Sequence, residues 1–284
     1  MAFSGDHQTM RNKMLSLFFI VALVSFLTAQ TAGTGQQYQP TVGQSGKDVV
    51  WVPTPEELVA TMLEIAHVTS NDYLIDLGSG DGRIAIAAAR RGARALGIEY
   101  NPDMVALSRE NAKKAGVTDK AAFRQADIFE TDFSQATVLT LYLLPDLNMK
   151  LRPKILEMKA GTRVVAHAFD MEDWEPDQTV NVEFRTAYLW IVPAKVAGTW
   201  TLTDTGNGSE FTLRQSFQKI GGSLKKNGLE IPLKNAKLDG DRISFGVEEG
   251  SMTREYSGRV VGHIMTGTEQ VASAAPTKWT ATRR

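Results

Sequence analysis

Tyr73-Leu74-Ile75-Asp76-Leu77-Gly78-Ser79-Gly80-Asp81-Gly82-Arg83, followed at once by the alanine-rich run 84–91, decides the fold of this 284-residue chain. Residues 73–77 are short, apolar and β-prone, as a strand buried on both faces should be. Three glycines at alternate positions then permit positive φ and let a ligand approach where a Cβ would collide. The helix former that follows leaves its first amides free and aimed back over the turn. Strand, turn and helix together read as a cradle for a nucleotide-type cofactor.

Spacing separates two kinds of cofactor. A dinucleotide fingerprint, G-x-G-x-x-G, needs its third glycine at position 83, where Arg83 stands. The pattern is instead Asp76-x-Gly78-x-Gly80-x-Gly82, which resembles motif I of the class I S-adenosylmethionine (SAM) dependent methyltransferases. Charge points the same way. Asp76 and Asp81 suit a cationic ligand with an amino-acid end and would repel a pyrophosphate. The alternative is a tight turn with no ligand, which rarely needs so many glycines between two acids.

Composition bounds the rest. The chain is long enough for two domains, and 43% hydrophobic residues suffice for a core. A formal net charge of -1 argues against a nucleic-acid binder held by bulk electrostatics. The absence of cysteine excludes disulfides, thiolate metal sites and cysteine nucleophiles. The resemblance to SAM-dependent methyltransferases implies no metal.

Residues 1–33 read as an export signal: Arg11 and Lys13 precede the apolar run 14–27, and small residues follow it. The run is shorter than the roughly 20 residues of a spanning helix, which favours a cleaved signal over an anchor. Residues 34–48, rich in Gly, Gln, Thr and Ser, read as a disordered linker. A SAM-dependent domain is expected over 49–195. It opens with Thr54 capping a helix that has Pro55 at its first position, Glu56 and Glu57 in its first turn, and a helically spaced apolar face from Leu58 to Ala66.

From residue 72 short apolar strands alternate with helices, which implies a parallel sheet. Strands are expected at 73–77, 93–99, 121–125, 136–143 and 162–168, with helices at 101–115 and 151–159. A hairpin follows at 180–184 and 187–192. Glu99, about twenty residues past the glycine turn, stands where an acid can accept both ribose hydroxyls of a nucleoside. The carboxyl ends of such strands line the ligand crevice, so Leu141-Tyr142-Leu143-Leu144-Pro145 should face the group being transferred. From 196 to 284 the pattern changes to short alternating strands punctuated by Gly206-Asn207-Gly208, Gly221-Gly222, Asn227-Gly228 and Asp239-Gly240, an antiparallel β-sandwich or small barrel.

Residues 51–193 resemble the lysine methyltransferase family whose mitochondrial members modify the ATP synthase c subunit and the adenine nucleotide translocase. The likeness rests on Val52-Pro53-Thr54-Pro55, on DLGSGDGR at 76–83, on TLYLLPDLNMKLRP at 140–153, on Arg163-Val164-Val165-Ala166-His167 and on Tyr188-Leu189-Trp190. The fold so implied is α/β, the Rossmann-like seven-stranded sheet of class I methyltransferases. The implied cofactor is SAM, held by Asp76, Gly78, Ser79, Gly80, Gly82, Glu99, Tyr100, Asp127 and Ile128, with Asp127 on the adenine amino group and Ile128 on its ring. Tyr142, with Leu143 and Pro145, is expected to hold the attacking amine. Trp51, Pro53, Thr54 and His167 fall on the substrate side. The implied partner is a protein lysine or a small amine, not a nucleic acid, and the apolar leader admits a substrate near a membrane. An asparagine- or aspartate-Pro-Pro-aromatic loop, common in amide and adenine methyltransferases, is absent. SAM is cytosolic while the leader argues for a periplasmic, secreted or membrane-anchored protein. A second reading is therefore an exported binding protein with an inactive methyltransferase-like domain and a β-domain that grips an envelope component.

Overall fold

The computed structural model describes Met1, residues 38–203 and residues 208–284. The leader expected over 1–33 and most of the expected Gly206-Asn207-Gly208 turn lie outside the described residues. β1 (Tyr73–Leu77), β2 (Arg94–Glu99), β3 (Ala121–Gln125), β4 (Val138–Leu141), β5 (Arg163–His167), β6 (Gln178–Val182) and β7 (Arg185–Ile191) form one sheet in the order β3-β2-β1-β4-β5-β7-β6. The first five strands pair in parallel, and the β6–β7 hairpin closes one edge antiparallel to β5. Helices α1 (Glu56–Ile65), α2 (Arg83–Arg90), α3 (Pro102–Lys114) and α4 (Pro145–Leu156) pack against it. The seven-stranded α/β sheet is the one the sequence implied.

Two apolar layers sandwich the sheet, one around Leu58, Met62, Leu63 and Ile84, the other around Leu77, Leu141, Ile155, Trp174 and Trp190. Because the strand order reverses between β1 and β4, a crevice opens beyond their carboxyl ends.

Local signals explain most helix limits. Asn101 accepts from the amides of Asp103 and Met104 (2.9 and 3.4 Å), Pro102 takes the first helical position, and Gly116, at φ +69°, closes α3. Two expectations need correction. Thr54 does not cap α1: Pro55 holds the capping position without a side-chain bond, and Thr54 is buried with its hydroxyl turned elsewhere. α4 begins at Pro145, six residues before the expected start, because Pro145 at its first turn has the φ a helix needs. The apolar spacing hides this start. Asn148 occupies a fully buried helix position, where its amide donates to the carbonyls of Phe169 and Asp170.

The second half is a closed antiparallel barrel of β8 (Gly198–Leu202), β9 (Glu210–Ser216), β10 (Lys219–Lys226), β11 (Leu229–Asp239), β12 (Arg242–Glu249), β13 (Met252–Val261), β14 (Ile264–Val271) and β15 (Thr277–Arg283). Closure removes the free edges a sandwich would keep. Phe211, Phe245, Tyr256 and Trp279 fill it with edge-on, tilted and stacked rings at 4.7–6.3 Å. Asn227-Gly228 turns as expected, both residues at positive φ. Gly221-Gly222 does not turn. It lies inside β10, paired with Arg214 and Leu213, and a Cβ on Gly222 would sit 1.9 Å from the Thr212 carbonyl oxygen. The barrel meets the sheet at the amino end of β5, where Gly240 abuts Gly161 and its carbonyl accepts from the Ala194 amide (2.8 Å). The crevice is at the opposite edge.

Candidate active site

The glycine turn does what its spacing suggests. Gly78, Gly80 and Gly82 all take positive φ (81°, 54° and 82°), and the amides of Gly78 and Ser79 both donate to the Ile98 carbonyl at 2.9 Å. Ser108 on α3 donates to the Gly80 carbonyl (2.9 Å) and Asn111 to that of Asp81 (3.0 Å), so the turn is clamped from outside. Asp76, at the β1 end, is fully buried and accepts from Thr140 of β4 at 2.7 Å. Burial pushes its carboxyl up to about 7, the Thr140 bond opposes the rise, and the charges of Glu99 and Asp81 add to it.

Glu99 closes the nucleoside side. Its two oxygens accept from the amides of Gly80 and Asn101, each at 2.9 Å, which aligns the carboxylate at the mouth of the turn. Asp127 accepts from the Phe129 amide (2.8 Å) and from the Lys47 ammonium (2.5 Å). The Lys47 bond is the main cause that holds the Asp127 carboxyl below its ordinary range. Lys47 also stands 5.0 Å over the Tyr100 ring. It comes from a stretch expected to be linker. Residues 41–51 instead fold into a tight hairpin, with Gly43 and Trp51 bonded at 2.9 Å and Ser45 bridged to Val50. The hairpin sets the Trp51 indole against the glycine turn: a Cβ on Gly80 would lie 2.7 Å from its Nε1.

The third wall is aromatic. Tyr142, just past β4, stacks on His167 at the end of β5 (3.8 Å, 30°) and faces Phe169 at 6.3 Å. Ala168 between them is forced to φ +67°, a conformation a residue with a Cβ adopts at a cost of about 1 kcal/mol. The strain turns Phe169 back toward Tyr142. His167 is buried, with Nδ1 3.1 Å from the Thr54 hydroxyl. Burial and then the Arg185 charge lower its pKa to about 4, so the ring is neutral near pH 7. Burial likewise raises the Tyr142 phenol.

A single cavity of about 610 Å³ joins these walls. It is lined by Asp76, Gly78, Ser79, Gly80, Glu99 and Tyr100, by Asp127, Ile128, Tyr142 and Leu143, and by Trp51, Pro53 and Thr54. Three of the expected site residues are not on its surface. Gly82 starts α2 with its missing Cβ turned to Phe123, at 2.6 Å, Pro145 opens α4, and His167 stands behind Tyr142. Sequence reasoning missed Lys47, Arg83, Met104, Leu147 and Phe169, which also line the cavity. Only Arg83 carried a signal, as the residue that broke a dinucleotide spacing. No group of three acidic or histidine side chains able to hold a metal occurs among the described residues.

These residues fit SAM. The missing Cβ of Gly80 leaves room for Trp51 to close down, and the polar walls are carboxylates and amides suited to a cation and to sugar hydroxyls. Sheet, turn and donor set define a class I SAM-dependent methyltransferase.

The ANTKMT methyltransferase domain matches residues 76–178. A protein-lysine N-methyltransferase of Saccharolobus islandicus is 43% identical over 151 residues, 51% of this chain and 94% of that protein. The mouse lysine N-methyltransferase of the ATP synthase c subunit is 38% identical over 123 residues, 43% of this chain and 50% of that protein. A crystal structure of a Salinibacter ruber protein, described as an RNA methyltransferase in complex with S-adenosyl-L-homocysteine, is 56% identical, covers 51% of this chain and 96% of that one, and superposes with a TM-score of 0.50. The chain belongs to the methyltransferase family that the Saccharolobus islandicus protein represents. Each of these relatives reaches about half of this chain at most.

Proposed function

We propose that this cavity moves the methyl group of SAM to the ε-amine of a lysine in a protein. SAM, when bound, supplies an electrophilic sulfonium methyl that a neutral amine takes by direct displacement. Asp76, Gly78, Ser79 and Gly80 bind its amino-acid end, Glu99 the ribose hydroxyls, and Asp127 and Ile128 the adenine. The observation that carries the amine reading is the uncharged aromatic wall of Tyr142 and Phe169, backed by His167, in the same cavity as Asp76. An ammonium entering such a wall loses solvation, which favours the neutral, nucleophilic form. His167, neutral near pH 7, adds no repelling charge. Tyr142 orients the amine, and the remaining contribution is positioning.

The names of the Saccharolobus islandicus and mouse relatives support a protein lysine as acceptor. The description of the Salinibacter ruber structure favours RNA as the second reading. Against RNA stand the net charge of -1 and a cavity whose acids, Asp48, Asp76, Asp81, Glu99 and Asp127, outnumber its cations, Lys47 and Arg83. The reading as an exported binding protein finds no support in the comparisons. Export through residues 1–33 is part of the proposal, and fractionation tests it: recovery of the full chain from the cytosol alone overturns it.

Calorimetry with SAM tests the cofactor reading. Micromolar binding that Glu99→Ala weakens about 100-fold or more is expected, and no heat with the wild type overturns it. Tyr142→Phe should slow methyl transfer at least tenfold while SAM affinity changes less than threefold; equal losses place Tyr142 in the cofactor site instead.

A further inference from the structure

Arg83, the residue that broke the dinucleotide spacing, ties the two sides of the cavity together. Asp81 grips its guanidinium twice, with Nε 3.0 Å from Oδ1 and Nη2 2.6 Å from Oδ2. The remaining Nη1 donates 2.9 Å to the carbonyl of Thr54. Thr54 in turn places its hydroxyl 3.1 Å from His167 Nδ1, and the His167 ring stacks on Tyr142 at 3.8 Å. In the other direction, Asp81 follows Gly80, whose amide donates 2.9 Å to Glu99. Named contacts therefore run without a gap from the acid assigned to the ribose to the tyrosine assigned to the acceptor.

We propose that Arg83 is a positioning residue that couples the two half-sites: it holds the Pro53-Thr54 segment against His167, so that Tyr142 is set for the acceptor by the seating of the glycine turn on the cofactor. This rests on the cofactor and acceptor assignments proposed above. Only a planar fork of donors satisfies a bidentate carboxylate and a backbone carbonyl together, which lysine cannot do. The segment it holds needs holding, because α1 has no side-chain cap to fix the chain before it. Sugar hydroxyls that donate to Glu99 share its oxygen with the Gly80 amide, so occupation of the nucleoside side acts on the turn that carries Asp81 and Arg83. A simple brace between α2 and the preceding chain gives stability but no such coupling.

The two readings differ at His167. In full-length protein with nitrogen-15 imidazoles, S-adenosylhomocysteine is titrated as the probe, and its affinity is measured in parallel by calorimetry. Saturation shifts the His167 ring signals of the wild type, although Thr54 and Tyr142 separate that ring from the turn. In Arg83→Gln and Arg83→Lys the probe still binds within about tenfold, and the His167 response falls to less than a third. Thr54→Val leaves Arg83 and the turn intact and loses the response as well, so the test stands if Arg83→Gln fails to fold. A full His167 response in folded Arg83→Lys and Thr54→Val, or none in wild type that binds the probe, overturns the coupling. Failure of the wild type to bind the probe overturns the cofactor reading itself, and calorimetry shows that separately.

Discussion

Asp76 shows how one residue can be legible by type and not by state. Its place ahead of the first glycine is plain in the sequence, but its buried pairing with Thr140 on a strand 64 residues away is not. With its carboxyl raised from 3.8 to about 7, the folded unliganded protein binds a proton that the unfolded chain releases. The contribution is full below about pH 4 and is lost as pH rises through 7, at a cost on the order of 4 kcal/mol. A cationic ligand reverses this by favouring the carboxylate. We therefore expect SAM binding near pH 6.5 to release a proton and to tighten as pH rises to about 8. Calorimetry in two buffers of different ionisation enthalpy checks this, and Asp76→Asn should remove the dependence. His167 has the opposite sign: its lowered pKa makes it a loss only as pH falls from 6.5 toward 4.

Among the elements, the strands of the sheet were readable because each is a short apolar run between turn residues, and the structure has them within a few residues of expectation. The hairpin at 41–51 was not. Its order comes from Lys47 reaching Asp127 and from Trp51 seated on Gly80, contacts that no local composition announces. The start of α4 was missed for a similar reason, since buried Asn148 interrupts its apolar face. An exposed ion pair is screened by solvent and holds only weakly, so Lys47→Ala should speed the release of S-adenosylhomocysteine about three- to fivefold and no more. Stopped-flow displacement measures this, and an unchanged rate shows that the hairpin does not retain the ligand.

At the level of the whole molecule, the change of pattern near residue 196 marked a second β-module, but closure into a barrel depends on pairings such as β8 with β15 that are remote in sequence. β10 carries the glycine pair that reads locally as a turn, and only its pairing with β9 makes it a strand. The docking of the barrel is also non-local: Phe217 stacks on the buried Trp174 at 5.9 Å, at the amino edge of the sheet and away from the cavity. Phe217→Ala should lower stability by about 3 kcal/mol and leave SAM affinity within threefold, as denaturant unfolding and calorimetry will show. A tenfold loss of affinity would mean that the barrel shapes the cavity. The most direct measurement of what the molecule does is to follow label from methyl-labelled SAM into a protein and RNA mixture given the wild-type enzyme. Label that is protease-sensitive, survives nuclease and elutes after hydrolysis as Nε-methyllysine is expected, with Glu99→Ala inactive. Label that nuclease removes, or none at all, rules out lysine methylation as the function of this cavity.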